Sequence, residues 1–291
     1  LLRCNPAGPG RGDARTLCCS RVRLARRDLK PGERTAAIGA CQGTDGGLPW
    51  GRLRADHTAI GRGRIAMSTE ALEGIRQEAR ARTQATDPSH DWSHIERVAA
   101  LCRTLGKEEG AEERILLAAA YLHDLINVPK NHPDRANASL ASAKEAAGIL
   151  REHGYGSDDI GRVMHAIEEH SFSRGLACTS VESRVLQDAD RLDALGAIGV
   201  LRTATCGATM GAAYYDLIDP LARDRALDDS RYTLDHFPAK LLRLAERFNT
   251  ASGRREADRR TRFMEVFLRQ LADEIGTGSD AGGNLWPQAR K

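Results

Sequence analysis

An all-α, single-domain protein is predicted by three features of this sequence. Alanine and leucine supply most of the apolar content, while aromatic residues make up only 4%; strands favour aromatic and β-branched residues, so this balance suits packed helices. From Met67 onward apolar residues recur at helical spacing, with breakers between the periodic stretches. No alternating apolar and polar pattern extends beyond a few residues.

Taken in order, the periodicity and its capping residues predict helices at about 68–84, 93–106, 111–126, 137–153, 157–171, 180–199, 239–249 and 255–276. Ser68-Thr69-Glu70 reads as a helix start, with a capping residue and acids in the first turn. Asp87-Pro88, Gly106, Pro129 to Pro133, His153 to Gly156 and Asp219-Pro220 punctuate the series. The segment 111–126 is apolar nearly all round and should be central and buried. Residues 67–276 thus form one helical domain of ordinary size. The stretch 277–291, with Gly282-Gly283, reads as a frayed, flexible tail.

The first 66 residues differ. They carry thirteen Lys and Arg against five Asp and Glu, a net of +8, so the remainder carries 3 − 8 = −5. Rich in Gly, Arg and Pro and lacking periodicity, this segment has no visible means of offsetting the entropy of ordering. The expectation is that residues 1–66 are disordered or translated upstream sequence, with Met67 as the natural start. The rival readings are a basic nucleic-acid-binding arm and an organelle transit peptide; low Ser content and the lack of an amphipathic helix weigh against the latter. Nucleic acid is therefore disfavoured as a partner. Four of seven cysteines fall here, and the other three, Cys102, Cys178 and Cys206, are widely spaced. They read as reduced thiols of a cytoplasmic protein. No run of eighteen apolar residues provides a membrane span.

The chemistry rests on a dispersed set of His and Asp. His94 opens one predicted helix, His123-Asp124 closes the apolar one, and Asp190 lies in a polar cluster, Asp188-Ala189-Asp190-Arg191-Leu192-Asp193. A carboxylate in an apolar interior requires partners. Two imidazoles and two carboxylates from three helices make a mixed N/O site suited to Mn, Mg, Ni, Co or Fe with water in the open positions. Such water is acidified enough to attack phosphorus near neutral pH. Taken singly, each residue reads equally well as an ordinary polar group on a helix; the combination and its spacing carry the argument. Asp188 and Asp190 are two apart, about 200° on a helix, so only one of them faces the metal. Asp193 shares a face with Asp190 and reads as an acceptor behind a ligand.

The order His, His-Asp, Asp resembles the metal-binding signature of the HD superfamily of phosphohydrolases. The strings His90 to His94, Lys130 to Pro133, His165 to Ser173, Gln187 to Gly199, Leu227 to Arg231 and Asp235 to Leu242 are similar to a bacterial subgroup of small, stand-alone HD hydrolases. The resemblance covers nearly all of Met67 to about Glu274. It implies an HD-domain helical bundle that cleaves phosphate esters or anhydrides, with nucleotides as the favoured small-molecule substrates. The family pattern of a small residue, Asp and then Lys or Arg matches Ala189-Asp190-Arg191 and favours Asp190 as the fourth ligand. In related enzymes histidines in the region of His165 and His170 bind a second metal or the phosphate; the bland alternative is two surface histidines at a helix end.

Around the ligands, Asp91 or Glu168 is expected to shuttle the proton. Arg97, Lys130, His132 and Arg191 are expected to meet the phosphate. Arg97 and Arg191 could equally pair with Glu96 and Asp193. Tyr214-Tyr215 and the stretch Asp235-His236 to Lys240 are candidates for a lid or base pocket. Two alternatives stand beside the nucleotide hydrolase. One is a cyclic-nucleotide or dinucleotide phosphodiesterase, for which Gly154-Tyr155-Gly156 lacks the expected proline. The other is a catalytically silent nucleotide sensor, which the full ligand set argues against.

Overall fold

The computed structural model describes residues 57–83, 91–126, 137–171, 174–278 and 285–286, with side chains from Thr69 onward. Nine α-helices account for most of them, and the only strand-like pairing among the described residues is an isolated bridge between Ala213 and Tyr232. The helices are α1 (His57–Arg82), α2 (Trp92–Glu109), α3 (Glu113–Leu122), α4 (Ala138–Glu152), α5 (Ser157–His170), α6 (Val181–Leu192), α7 (Gly196–Thr209), α8 (His236–Ala239) and α9 (Ala251–Glu274). No helix among the described residues is long and apolar enough to cross a membrane.

The apolar helix is central. Every residue of α3 from Ile115 to Leu122 is buried, and α3 packs against α1, α2, α5 and α6. Its neighbours are set by local sequence. Asp91 caps α2 by accepting from the His94 amide, and Gly110 ends that helix in the left-handed region at φ 75°. Ser180 and Ser183 form a reciprocal capping box at the start of α6, satisfying amide donors the first turn leaves open. Thr250 caps α9 through the amide of Gly253.

Several boundaries differ from those the sequence predicts. The first helix does not start at Ser68; it runs unbroken from His57 through Met67, so Ser68 to Glu70 occupy interior turns. The single helix predicted at 180–199 is two. α6 ends at Leu192, the chain turns through Asp193–Leu195, and α7 begins with Gly196 at φ 73°, a conformation glycine adopts at no steric cost. The predicted 239–249 helix is only the four residues of α8 followed by a 3₁₀ segment, Leu241–Arg247. There Leu241 is drawn into the core while Lys240, Arg243 and Arg247 turn to a cleft. In the stretch expected to fray, Trp286 is 1% exposed and joins the main core. The expectations for residues 1–56 lie outside the described residues.

Candidate metal centre

Four helices deliver the donors. His94 lies in the first turn of α2, His123 and Asp124 follow the last turn of α3, His170 ends α5, and Asp190 sits near the end of α6. Ligating atoms of His94, His123 and Asp190 all lie within 4.8 Å of one another, as do those of His123, Asp124 and His170. The two sets share His123. The His94 Nε2 atom stands 3.4 Å from Asp190 Oδ1 and 3.9 Å from Asp124 Oδ2, and His123 Nε2 is 3.7 Å from Asp124 Oδ2.

The imidazoles are held from behind. His123 Nδ1–H donates to the Ala120 carbonyl at 2.8 Å and His170 Nδ1–H to the Ile167 carbonyl at 2.5 Å. Each bond spans three residues at a helix end and fixes the tautomer that leaves Nε2 a lone pair. His94 Nδ1–H donates to Asp193 Oδ2 at 2.7 Å. Asp193, fully buried, also accepts from Arg97 Nε at 2.6 Å and Arg202 Nη1 at 2.5 Å. Histidines backed by carbonyls and carboxylates in this way are characteristic of metal ligands. The residues fit a divalent cation by a stricter test as well: His123 Nε2 is buried and makes no hydrogen bond to protein, an arrangement costly in a core unless a cation takes the lone pair.

The charges agree. Burial alone pushes His94 down, but hydrogen bonds to Asp190 and Asp193, with the charges of Asp190 and Asp124, lift it to about 9. Burial pushes Asp124 up, yet the imidazoles of His123 and His94 hold it below the usual carboxylate range. Asp190 is held far below that range against the same burial, first by its hydrogen bond to His94. His170 is held down by burial and by the neighbouring charge of His123. Anionic carboxylates and crowded imidazoles form a cluster ready to exchange protons for a cation.

Asp124, His170 and Asp190 open onto a cleft of about 770 Å³. The rest of its lining comes from α7, the 229–233 turn, α8 and the 3₁₀ segment. One face of α7 lines it, through Gly199, Arg202, Thr203, Cys206 and Gly207. Arg191, Lys240, Arg243 and Arg247 supply further positive charge.

A family model described as the HD domain matches residues 91–195, the interval from the α2 cap to just past α6. The Bacillus subtilis protein YpgQ is 36% identical over 220 residues, which cover 72% of this chain and 98% of YpgQ. The chain belongs to the HD superfamily. Crystal structures agree: B. subtilis YpgQ in complex with ADP superposes with a TM-score of 0.58 at 34% identity, covering 72% of this chain and 97% of that one. An HD-superfamily hydrolase from Bacillus thuringiensis gives 0.58 at 32% identity, covering 72% of this chain and all of its own. The fold is thus that of the HD hydrolases, in general metal-dependent phosphohydrolases.

Other HD-site residues read from the sequence fall differently. Asp188 is not at the cleft: it is fully buried and accepts from the amides of Asn249 and Thr250 and from Thr250 Oγ1. A Cβ on Gly253 would lie 2.5 Å from its Oδ2. Asp188 ties α6 to the start of α9, and Asp190 alone of the pair faces the donors. Asp91, expected to shuttle a proton, has Oδ1 engaged by the His94 amide at 3.3 Å and Ser93 Oγ at 2.5 Å. Glu168 is half-buried and does not line the cleft. Arg97, expected on the phosphate, forks onto Asp193 behind His94. His165 is not beside His170. Because α5 continues through His170, the two stay about 140° apart on the helix, and His165 Nε2 meets Thr179 Oγ1 at 2.7 Å and Glu169 at 3.1 Å. Arg191 does line the cleft, its Nη1 donating to the Arg247 carbonyl. Lys130 and His132 lie outside the described residues. Arg202, which holds Asp193 from α7, carries no signal in the sequence, because its reach to Asp193 depends on the break between α6 and α7.

Proposed function

We propose that this chain is a divalent-metal-dependent phosphohydrolase acting on nucleotides, at a phosphate ester or a pyrophosphate linkage. The observation that carries this reading is the cleft itself, lined by three members of the five-donor cluster, Asp124, His170 and Asp190, and by guanidinium and ammonium groups. Its volume suits a nucleotide, and the related YpgQ was crystallised with ADP.

His94, His123, Asp124 and Asp190 would hold one ion, one of Mn, Mg, Ni, Co or Fe, and His170 extends the donor set enough for a second. A bound ion supplies Lewis acidity, drawing charge from a phosphoryl oxygen and acidifying water beside it. The chain's own contribution is positional and electrostatic. Arg191, Arg243 and Arg247 offset the charge of the phosphate as preorganised cations. Asp193, Arg97 and Arg202 keep His94 in one orientation. Lys130, six residues beyond Asp124, completes the phosphate-binding set in this proposal.

The test is a screen of the purified full chain against nucleoside mono-, di- and triphosphates and cyclic nucleotides. Each divalent ion is added in turn, with orthophosphate and pyrophosphate release resolved. Metal-dependent release from at least one nucleotide is expected; no turnover with any ion would overturn the reading.

A further inference from the structure

Hydrolysis of a sugar phosphate ester needs a proton for the departing alkoxide oxygen, whereas the phosphate that leaves an anhydride departs as an anion near neutral pH, and the two acids the sequence offered are placed elsewhere. Asp91 caps α2 and the Glu168 carboxylate is not on the cleft. Asp124 and Asp190 are donors to the metal. The lysine and arginines of the cleft hold their protons too tightly to give them up near neutral pH. One further titratable pair lines the cleft. His236, the first residue of α8, donates from Nδ1–H to Asp229 Oδ2 at 2.8 Å, and both residues face the same space as the metal donors.

The pair is rigidly placed. Leu234 and Phe237, on either side of His236, are each 4% exposed. Asp235, immediately before it, is buried and accepts a two-pronged bond from Arg225 at 2.5 and 2.8 Å, and another from the Asp228 amide at 2.7 Å. That last bond fixes the turn from which Asp229 projects. Thr233 of the same turn packs so closely on α7 that a Cβ at Gly207 would lie 2.1 Å from its Oγ1. A histidine whose Nδ1 is engaged by a carboxylate presents Nε2 as its other proton-bearing atom, in a set orientation.

We propose that His236, oriented by Asp229, is the general acid that protonates the departing sugar oxygen when the chain cleaves a nucleotide ester. The inference rests on the phosphohydrolase reading above. As the oxygen of water bonds to phosphorus, the phosphorus–leaving-group bond breaks and its electron pair passes to the departing oxygen. That oxygen takes the proton from His236 Nε2. The proton lost by the attacking water goes to solvent, and solvent reprotonates the neutral imidazole, so the cycle closes. Asp229 is a positioning residue that also stabilises the imidazolium. Charge elsewhere in the cleft comes from the carboxylates of Asp124 and Asp190 and from the cations Arg191, Lys240, Arg243 and Arg247, with Arg202 on α7.

The experiment compares the parent chain with His236→Gln and Asp229→Asn, each with metal content measured. Three substrates are used: the nucleoside monophosphate that the parent cleaves fastest, p-nitrophenyl phosphate, and thymidine 5′-(p-nitrophenyl phosphate). General acid catalysis contributes about 10²–10⁴-fold. H236Q should lose that factor in kcat on the nucleotide and retain near-parent rates on the nitrophenyl esters, whose leaving group departs as a stable anion. The alkaline limb of the nucleotide pH–rate profile should vanish in H236Q. In D229N it should move to lower pH, because the imidazolium loses its counter-charge, and the imidazole titration read by NMR should move the same way. Equal losses of H236Q on all three substrates, or parent-like rates and profile on the nucleotide, would overturn the assignment while leaving the phosphohydrolase reading intact. If H236Q fails to fold, an unmoved alkaline limb and imidazole titration in D229N overturn it. A parent inert towards every nucleoside monophosphate would overturn the assignment, and one inert towards every nucleotide would end both readings.

Discussion

The two ends of the cleft are built by different means. At the metal end each donor sits on or just after a long helix packed around α3, and the imidazoles are braced by buried acceptors. The 229–236 side of the cleft is instead tied to short turns organised by carboxylates. Asp216 accepts from the amides of Ile218 and Asp219 and from Tyr232 Oη. Asp219 accepts from the amides of Arg223, Asp224 and Arg225, and Arg225 forks onto Asp235. Apolar burial fixes the first end and hydrogen bonds near the surface fix the second. The comparison teaches that one change can dismantle the chemistry at the metal end and yet leave the other end standing, and conversely.

The largest effect should come from the helix common to all the donors. Leu116→Asp places an unpaired carboxylate at a position 1% exposed, a cost of several kcal/mol that exceeds what a domain can spare. Loss of cooperative unfolding by circular dichroism is expected; a cooperative, metal-binding variant would show that α3 is not the frame.

Removing a ligand should separate chemistry from folding. Asp124→Ala and His123→Ala are expected to abolish turnover and lower bound metal, with helical content unchanged. Metal analysis beside hydrolysis decides this: if both variants retain parent metal content and rate, the centre lies elsewhere. Lys130→Ala, by contrast, should raise KM or lower kcat with metal content unaltered.

A smaller effect is expected behind the ligand. Asp193→Asn keeps the shape but weakens the hold on His94 and its link to Arg97 and Arg202. Metal affinity should fall about 10–100-fold, the usual consequence of losing an outer partner, as read by isothermal titration. An unchanged affinity would mean that His94 needs no such brace.

On the 229–236 side, Arg225→Ala leaves buried Asp235 without its fork. It should cost about 3–5 kcal/mol locally, raising KM for the nucleotide while metal affinity holds. A parallel loss of metal binding would show that the two ends are not independent.

The smallest effect is a pH dependence confined to those turns. Asp216 is lowered from the ordinary 3.8 to about 2, first by the Tyr232 hydroxyl and then by the amides of Asp219 and Ile218. A depressed carboxylate contributes stability that is complete above its unfolded value and is lost as pH falls through the folded one. Protection of the Ile218 and Asp219 amides against exchange, taken relative to the intrinsic rate at each pH, should therefore fall between about pH 4 and pH 2. Protection that stays constant across this window would mean that other bonds hold the turn.

Local sequence settled what depends on local physics. A segment apolar on every side, Ile115 to Leu122, has no stable place except the centre of a helical domain, so α3 and the His-Asp pair at its end were legible. So was the bulk of α2, α4, α5 and α9, because periodicity acts within a few residues, whereas Asp91, a proton shuttle in the sequence reading, is a helix cap. What the sequence left open was decided across distance. Whether Asp188 or Asp190 faces the cleft depends on Asn249 and Thr250, about sixty residues away, which claim Asp188. The end of α6 at Leu192 follows from Gly196 in the left-handed region, while Asp193 is drawn to His94, Arg97 and Arg202. His165 looked equivalent to His170 in one dimension and was separated from it because α5 does not end between them. The 229–236 side was the least legible part, since its turns have no periodic signal and its shape comes from carboxylates accepting backbone amides. A sequence shows which groups are present and which face of its own helix each one occupies; which groups meet is fixed only when separate elements close around a shared core.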